Sequence, residues 1–466
     1  MVPAASAIRR AAAALLVTAL LGGCGGTRHQ ATPPHHVAAA YWPDGARYAL
    51  DLRYDPHAYA ISGRERVSFA NAGPAPLRSV WLRLWANAYG SCARPFARVL
   101  VSAGGTAGAR RRHCTALEVK LPQPLAPGAR TELALDVRVA VPGRPDRFGR
   151  MGKIAFFGNG IPLLAVADRG GWHLPPYTDR GESFFSLVAS WTVKLTAPRE
   201  IALASTGTEA AAPTDAGGEL AHTITAPRAR DFALVAGPMQ VATLKADGIA
   251  FRRFTRPGTP AREVQAALRS ARDSLLAYQR RFGPYGAPEL DVVEGPAAIA
   301  NGGLAMEYPE LVLTPAAKFA LVHEVAHQWW FGIVGDDEWS EPWLDEAMAE
   351  YTAASLPYRI GGPDRRGYCP HLPKGLAPLN SSMATFAHRP PRFYSGSVYI
   401  QGGCALLALQ RGLGLETMDR FLRGLVSSHR YGVLTTTDFV TALRKIAPGS
   451  FDVDRWLRRS KIRTKA

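Results

Sequence analysis

Residues 323–327 read His323-Glu324-Val325-Ala326-His327, and a further acid, Glu346, follows within Trp343-Leu344-Asp345-Glu346. On a helix, positions four apart share a face, so the two imidazoles of His323 and His327 project toward one point. Neutral imidazole and carboxylate donors suit a divalent zinc, which in a catalytic site takes three protein ligands and keeps a fourth position open for water. His323, His327 and Glu346 are therefore the predicted ligands of one Zn2+ per chain. Glu324 falls beside the ligand axis, where its carboxylate can accept a proton from a water at the open position. The spacing describes a Lewis acid paired with a general base, which is hydrolytic chemistry.

Two helices must bring these groups together. Thr314 is the predicted N-cap and Pro315 the first residue of the helix that carries the histidines, with Leu321 and Val322 in its apolar run. Turn signals at Gly332, Gly335 and Asp336-Asp337 interrupt the pattern, and Glu341 to Tyr351 restores it, so that a second helix can pack back with Glu346 facing the histidines. Trp330 and Ile333 stand three and six residues after His327, where the metzincin pattern has Gly and His, and that zinc class is excluded.

These features resemble the aminopeptidase N family of gluzincin metallopeptidases, which also includes the leukotriene epoxide hydrolase. Leu304-Ala305-Met306-Glu307-Tyr308 occupies the place of the family's Gly-x-Met-Glu-Asn segment. The resemblance gives Glu307 the task of binding the substrate's free amino group, while Leu304 and Tyr308 depart from the pattern. Tyr399-Ile400-Gln401-Gly402 fits the family's Tyr-x-x-Gly context and implies that the Tyr399 hydroxyl stabilises the oxyanion. A phenol suits this role, being neutral at pH 7 and able to donate beside a metal. Tyr394 matches a second family tyrosine near the substrate. Asp345 and Ala347 stand where the family commonly has Asn and Gly. Glu350, one turn beyond Glu346, fits either a partner to a ligating histidine or an exposed helix position. The resemblance implies peptide substrates and removal of their N-terminal residues. A zinc endopeptidase with an open cleft stays open as an alternative, as does a catalytically silent, lipid-anchored peptide-binding protein; epoxide hydrolysis rests on one branch of the family.

The rest of the chain places this site. Residues 1–23, with Arg9, Arg10 and an apolar run from Ala11 to Leu21, resemble a bacterial lipoprotein signal peptide, and Leu21-Gly22-Gly23-Cys24 resembles its lipobox. Cys24 is the predicted lipidation site, 24–40 a flexible tether, and the expected location the extracytoplasmic face of a bacterial cell envelope, with the membrane reached through the lipid anchor. Residues 41–241 alternate in short turn-bounded runs such as Tyr48 to Tyr54, the pattern of an N-terminal antiparallel β-sandwich or saddle domain. Residues 242–466 turn to longer helical patterns, including Ala261 to Phe282. By the resemblance they form a thermolysin-like α/β zinc peptidase domain, making the whole a multidomain α and β chain. Little sequence follows the Leu415–Arg430 and Asp438–Lys445 helices, so the cleft is expected to be open. Cys92, Cys114, Cys369 and Cys404 allow the pairs Cys92–Cys114 and Cys369–Cys404 in an oxidising compartment, without fixing them. The formal charge of +17 is scattered and accompanied by no stacking motif, which argues against a nucleic-acid partner and for a basic face toward anionic lipid or cell-wall polymer. No feature specifies an oligomer.

Overall fold

Alternation of apolar and polar residues drives the first half of the chain into strands. In Asp44–Asp55, Tyr48, Leu50, Leu52 and Tyr54 are buried and their neighbours face outward, as a sheet with one face on a core requires. The computed structural model describes residues 40–464 other than 180, 297–304, 316, 317, 358, 361, 364–367 and 370–373. The signal-peptide and lipidation expectations, with Cys24, lie outside the described residues, as does Leu304.

The largest sheet has eight strands, in the order Thr208–Glu209, Glu219–Ala229, Ala189–Pro198, Asp44–Asp55, Ala60–Ala70, Arg130–Ala140 and Ala97–Ala103, with Thr214–Ala216 attached to Glu219–Ala229. Its pairs are antiparallel except one: Asp44–Asp55 runs parallel to Ala189–Pro198, with Tyr48 opposite Trp191. That exception arises because the chain returns to the central strand only after a long excursion through other sheets, and parallel neighbours need such a crossover. Two four-stranded sheets accompany the large one. Their apolar faces share a core that includes Phe69, Val80, Leu117, Leu133, Phe157 and Trp191, which is the expected sandwich.

At Gln240–Ala246 the chain enters a new four-stranded sheet with Ile249–Thr255, Glu289–Glu294 and Leu311–Thr314. The first two strands form a hairpin and the remaining pairs are parallel. Helix α1 (Ala261–Phe282) makes the crossover between parallel strands and buries Val264, Leu268, Ala271, Leu275, Tyr278 and Phe282 on one face. There follow α2 (Lys318–Ala326), α3 (Trp343–Ala354), α4 (Pro391–Tyr394), a π-helical stretch at Ser395–Ile400, α5 (Gln401–Leu413), α6 (Leu415–Ser428), α7 (Thr436–Ile446) and α8 (Val453–Arg459). Helix α3 packs between α2 and α5, and all of its residues are buried.

Thr314, the expected cap of α2, is a strand residue. It ends the strand Leu311–Thr314, opposite Glu294, its hydroxyl donates to the Pro315 carbonyl at 2.9 Å, and α2 opens at Lys318. Leu311-Val312-Leu313 is a continuous apolar run buried within a parallel sheet, and pairing along that run extends to Thr314.

A further apolar cluster joins the two halves, with Ile154, Phe156 and Val235 against Phe254, Val293, Met306 and Leu313. Beside it the Ser205 amide donates to Asp291 Oδ2 at 3.0 Å. Both anticipated disulfides are present, Cys92–Cys114 and Cys369–Cys404, with Cα separations of 5.5 and 5.7 Å. Among the described residues no helix is long and apolar enough to cross a membrane.

Candidate metal centre

The last turn of α2 carries His323, and His327 follows as the helix closes. Wide backbone turns then fold the chain back, the Gly332 amide meeting the His327 carbonyl at 2.9 Å and the Val334 amide the Trp329 carbonyl at 2.8 Å. Fully buried Trp329 and Trp330 lock this turn into the core. Helix α3 crosses back over α2 and presents Glu346. The Nε2 atoms of His323 and His327 stand 3.0 Å apart, and Glu346 Oε2 lies 3.2 Å from the first and 3.4 Å from the second. Tetrahedral ligands at zinc distances lie about 3.3 Å from one another, so these three donors already sit at the edge lengths of a zinc site. The structure brings the three predicted ligands together.

The remaining ring nitrogens are held. His323 Nδ1 is 2.9 Å from Glu350 Oε2, and His327 Nδ1 is 3.0 Å from the Trp330 carbonyl and pairs with Asp345. Acceptors on both Nδ1 atoms place the protons there and leave both Nε2 lone pairs for a metal. Glu350 is thereby the partner of a ligand and not an exposed helix residue. Burial lowers the pKa of His323, yet the hydrogen bonds to Glu346 and Glu350 outweigh it and push the imidazole up to about 10. The same two histidines hold Glu346 below the usual carboxylate range against the effect of its burial. A metal ion bound by the three donors would take the place of the protons that the carboxylates now hold on the imidazoles.

Glu324 lies next to the ligands, buried, its Oε2 without a hydrogen-bond partner among the described residues. Burial pushes its carboxyl up to about 7, with the His323 and His327 charges acting in the opposite direction. Donor atoms of Glu307, Glu324 and His327 fall within 4.8 Å of one another, so the predicted base and the predicted amine anchor share one wall. The Tyr399 hydroxyl donates to Glu346 Oε1, and its ring lies along His323 at 5.7 Å between centroids. Tyr394 is buried edge-on to Tyr399 at 5.5 Å. Gly402 makes this arrangement possible, because an added Cβ would lie 2.3 Å from the Ala347 Cβ on α3.

Residues 314–459, which contain the ligands and both tyrosines, match the Peptidase family M1 domain. That stretch is similar to an M1 peptidase domain. This bears out the resemblance to the aminopeptidase N family. Aminopeptidase B of Mus musculus is 23% identical over 217 residues, covering 39% of this chain and 33% of that protein. Aminopeptidase M1-B of Oryza sativa subsp. japonica is 25% identical over 224 residues, covering 43% of this chain and 25% of the relative. The match thus spans a third or less of these relatives' length. In solved structures, an M1 zinc metallopeptidase from Deinococcus radiodurans aligns with TM-score 0.64 at 21% identity over 90% of this chain and 93% of that one. A mutant of that enzyme bound to a Tyr-Ser-Ala substrate aligns with TM-score 0.65 at 22% identity over 89% and 94%. The fold is shared from the N-terminal sheets through the M1 domain.

Two features beside the M1 domain's ligands escaped the sequence reading. Glu182, from the N-terminal half, is buried in an ion pair with buried Arg147, and its charge helps to raise Glu307 after burial has done so. Its setting, Gly181-Glu182-Ser183, carries no motif, and the partner lies far off in sequence. Tyr308, the departure from the family asparagine, sends its hydroxyl to Asn159 Oδ1 at 3.0 Å, and Asn159 in turn donates to Asp231 Oδ2 at 2.7 Å. The Tyr308 carbonyl accepts from Gln328 Nε2 at 3.0 Å. The residue after Glu307 and the residue after His327 are thus tied together, a link that only the fold reveals.

Proposed function

We propose that the protein is a zinc aminopeptidase that removes N-terminal residues from peptides at the extracytoplasmic face of a bacterial membrane. The observation that carries the reading is the triangle of His323 Nε2, His327 Nε2 and Glu346 Oε2, with edges of 3.0, 3.2 and 3.4 Å, flanked by Glu324 and Glu307. Zinc bound there would polarise the scissile carbonyl and make a water more acidic. Glu324 takes the proton of the attacking water and delivers it to the leaving amine. Its unpartnered oxygen keeps it free for both transfers. Tyr399, whose single hydroxyl proton rests on Glu346 Oε1, would turn it to the negative charge that develops on the carbonyl oxygen. Burial and then the Glu182 charge raise the Glu307 carboxyl, and an ammonium group of the substrate arriving beside it would favour its ionised form and be held there. Tyr394 supports the Tyr399 ring and borders the same space.

The location rests on the lipoprotein-like residues 1–24 and is supported by the two disulfides, which persist in oxidising compartments. Processing before Cys24 would leave the lipid anchor and the tether ahead of the folded body.

The test offers the zinc-loaded protein, from residue 25 onward, a mixed peptide library with free or acetylated amino ends, and reads cleavage by mass spectrometry. Loss of single residues from free peptides only supports the reading. Internal cuts in both sets would make the enzyme an endopeptidase, and silence in both would favour a binding protein.

A further inference from the structure

Glu350 does not orient His323 unaided. While its Oε2 lies 2.9 Å from His323 Nδ1, its Oε1 accepts a hydrogen bond from the Tyr368 hydroxyl at 2.6 Å. The next residue, Cys369, is disulfide-bonded to Cys404 on α5, the helix that packs against α3. Beside Cys404, an added Cβ at Gly403 would sit 3.0 Å from both the Tyr368 hydroxyl and Glu350 Cγ, so the glycine clears the point where these side chains meet. The Phe319 ring on α2 lies 6.3 Å from Tyr368 and 6.5 Å from His323, centroid to centroid. Tyr368 is therefore in contact with residues on both ligand-bearing helices, and the disulfide ties its backbone to a third.

We propose that Tyr368 is a positioning residue for the metal centre: anchored to α5 through Cys369–Cys404, it holds the Glu350 carboxylate in the rotamer that orients His323. The proposal rests on the reading of His323, His327 and Glu346 as zinc ligands. A glutamate side chain has several staggered rotamers to choose from, and ordering it costs conformational entropy. A hydrogen bond at one oxygen aims the other, and the Nδ1–H of His323 then has a fixed acceptor. Without the hydroxyl the carboxylate is free to turn, and His323 loses both its orientation and part of its basicity toward a metal. The disulfide matters because it keeps the donor in place independently of the metal.

The experiment measures zinc affinity of the full folded protein by competition with a chromophoric chelator, together with the visible spectrum of the Co2+-loaded form. Wild type is compared with Tyr368→Phe, Glu350→Ala, the two combined, and Cys369→Ser with Cys404→Ser. Loss of a partner to a metal-bound histidine costs 10- to 100-fold in affinity, and one step further out Tyr368→Phe is expected to weaken zinc by about tenfold and to shift the Co2+ spectrum. Because it acts through Glu350, the same change should add less than about twofold in the Glu350→Ala background. The disulfide-free protein should bind zinc about as weakly as Tyr368→Phe. Equal weakening in both backgrounds, or none in the wild-type background, overturns the proposal, and unchanged zinc affinity without the disulfide overturns the anchoring. Should Glu350→Ala fail to fold, Glu350→Met completes the same cycle. A wild-type protein that binds no zinc would overturn the metal reading itself, a result visible before any variant is made.

Discussion

Gly402→Ala is the substitution with which the geometry can be tested most sharply. A methyl group at position 402 would lie 2.3 Å from the Ala347 Cβ, 3.3 Å from the Ala347 Cα and 3.1 Å from Leu379 Cδ1. Nonbonded carbons rest about 3.5–4.0 Å apart, so α5 must retreat from α3 by about 1.2–1.7 Å. The turn that leads into α5 carries Tyr399, whose hydroxyl is bonded to Glu346 on α3. A retreat of that size stretches the bond beyond hydrogen-bonding range. Overpacking of this kind costs about 1–3 kcal/mol, and a catalytic group misplaced by about 1 Å can cost roughly a hundredfold in rate. Helix propensity makes the opposite forecast, since alanine in a helix interior is favoured over glycine by about 0.5–1 kcal/mol. Gly424→Ala on the exposed face of α6, where nothing lies within 4 Å of the added carbon, measures that opposing effect by itself. Urea unfolding and turnover of a free-amino peptide should show Gly424→Ala slightly stabilised with normal kcat. Gly402→Ala should be destabilised, with kcat down about 10- to 100-fold. A Gly402→Ala protein as stable and as active as wild type would refute the account of how α5 delivers Tyr399.

Glu324→Gln keeps shape and removes the base, so metal analysis should find zinc retained while kcat falls about 10²- to 10⁴-fold; a near-normal rate would remove Glu324 from the mechanism. Glu307→Gln should raise KM for peptides with a free amino end by about tenfold or more, the worth of a charged hydrogen bond, and narrow the preference for free over acetylated substrates. An effect confined to kcat would contradict amine binding. Glu310, pushed from 4.5 up to about 7 by burial and then by the Glu289 and Asp291 charges, should make stability depend on pH. Its folded pKa lies above its unfolded one, so the native state binds more protons between those values, and stability falls as pH rises through that window and levels off above it. Glu310→Gln should therefore unfold at higher urea than wild type at pH 8, by up to about 3 kcal/mol, and show no difference below pH 4. Equal gains at both pH values would assign the effect to packing.

What could be read from the sequence was what has a short period or a fixed spacing. Two histidines four apart define a face whatever surrounds them, and the turn signals between Gln328 and Ser340 allowed the chain to come back with Glu346. Strands such as Asp44–Asp55 announced themselves by strict alternation. The failures belong to choices made between distant segments. Thr314-Pro315 carries the chemistry of a helix start, but a buried sheet pairs through Thr314 instead. The parallel pairing of Asp44–Asp55 with Ala189–Pro198 depends on the route of the chain and leaves no local trace. Glu350 had two fair readings until Tyr368 and His323 were found on either side of it. Glu182 had none, because a buried ion pair with Arg147 is indistinguishable in sequence from two solvated charges.

The charge of the whole chain and the charge of its site have opposite signs, and that opposition bears on substrate choice. A protein with a formal charge of +17 buries Glu182, Glu307, Glu324, Asp345, Glu346 and Glu350 around two histidines. Arg147 offsets one of these acids. Buried Arg230 donates to the carbonyls of Phe331, Ser186 and Gly432 and leaves the carboxylates to other partners. Buried carboxyls in this number either take up protons, as burial favours at Glu307 and Glu324, or meet positive charge, and the two kinds that fit are a divalent metal at the His323–His327–Glu346 triangle and an ammonium group near Glu307. The first follows from donor geometry, and for the proposed aminopeptidase the closeness of Glu307 to Glu324 and His327 would require a peptide to place its charged amino end near the bond to be cut. An acetylated end has no charge with which to answer Glu307, and an internal bond has none nearby. On the proposed aminopeptidase reading, a preference for free amino ends would be set by the buried acids themselves, whatever closes or leaves open the outer cleft.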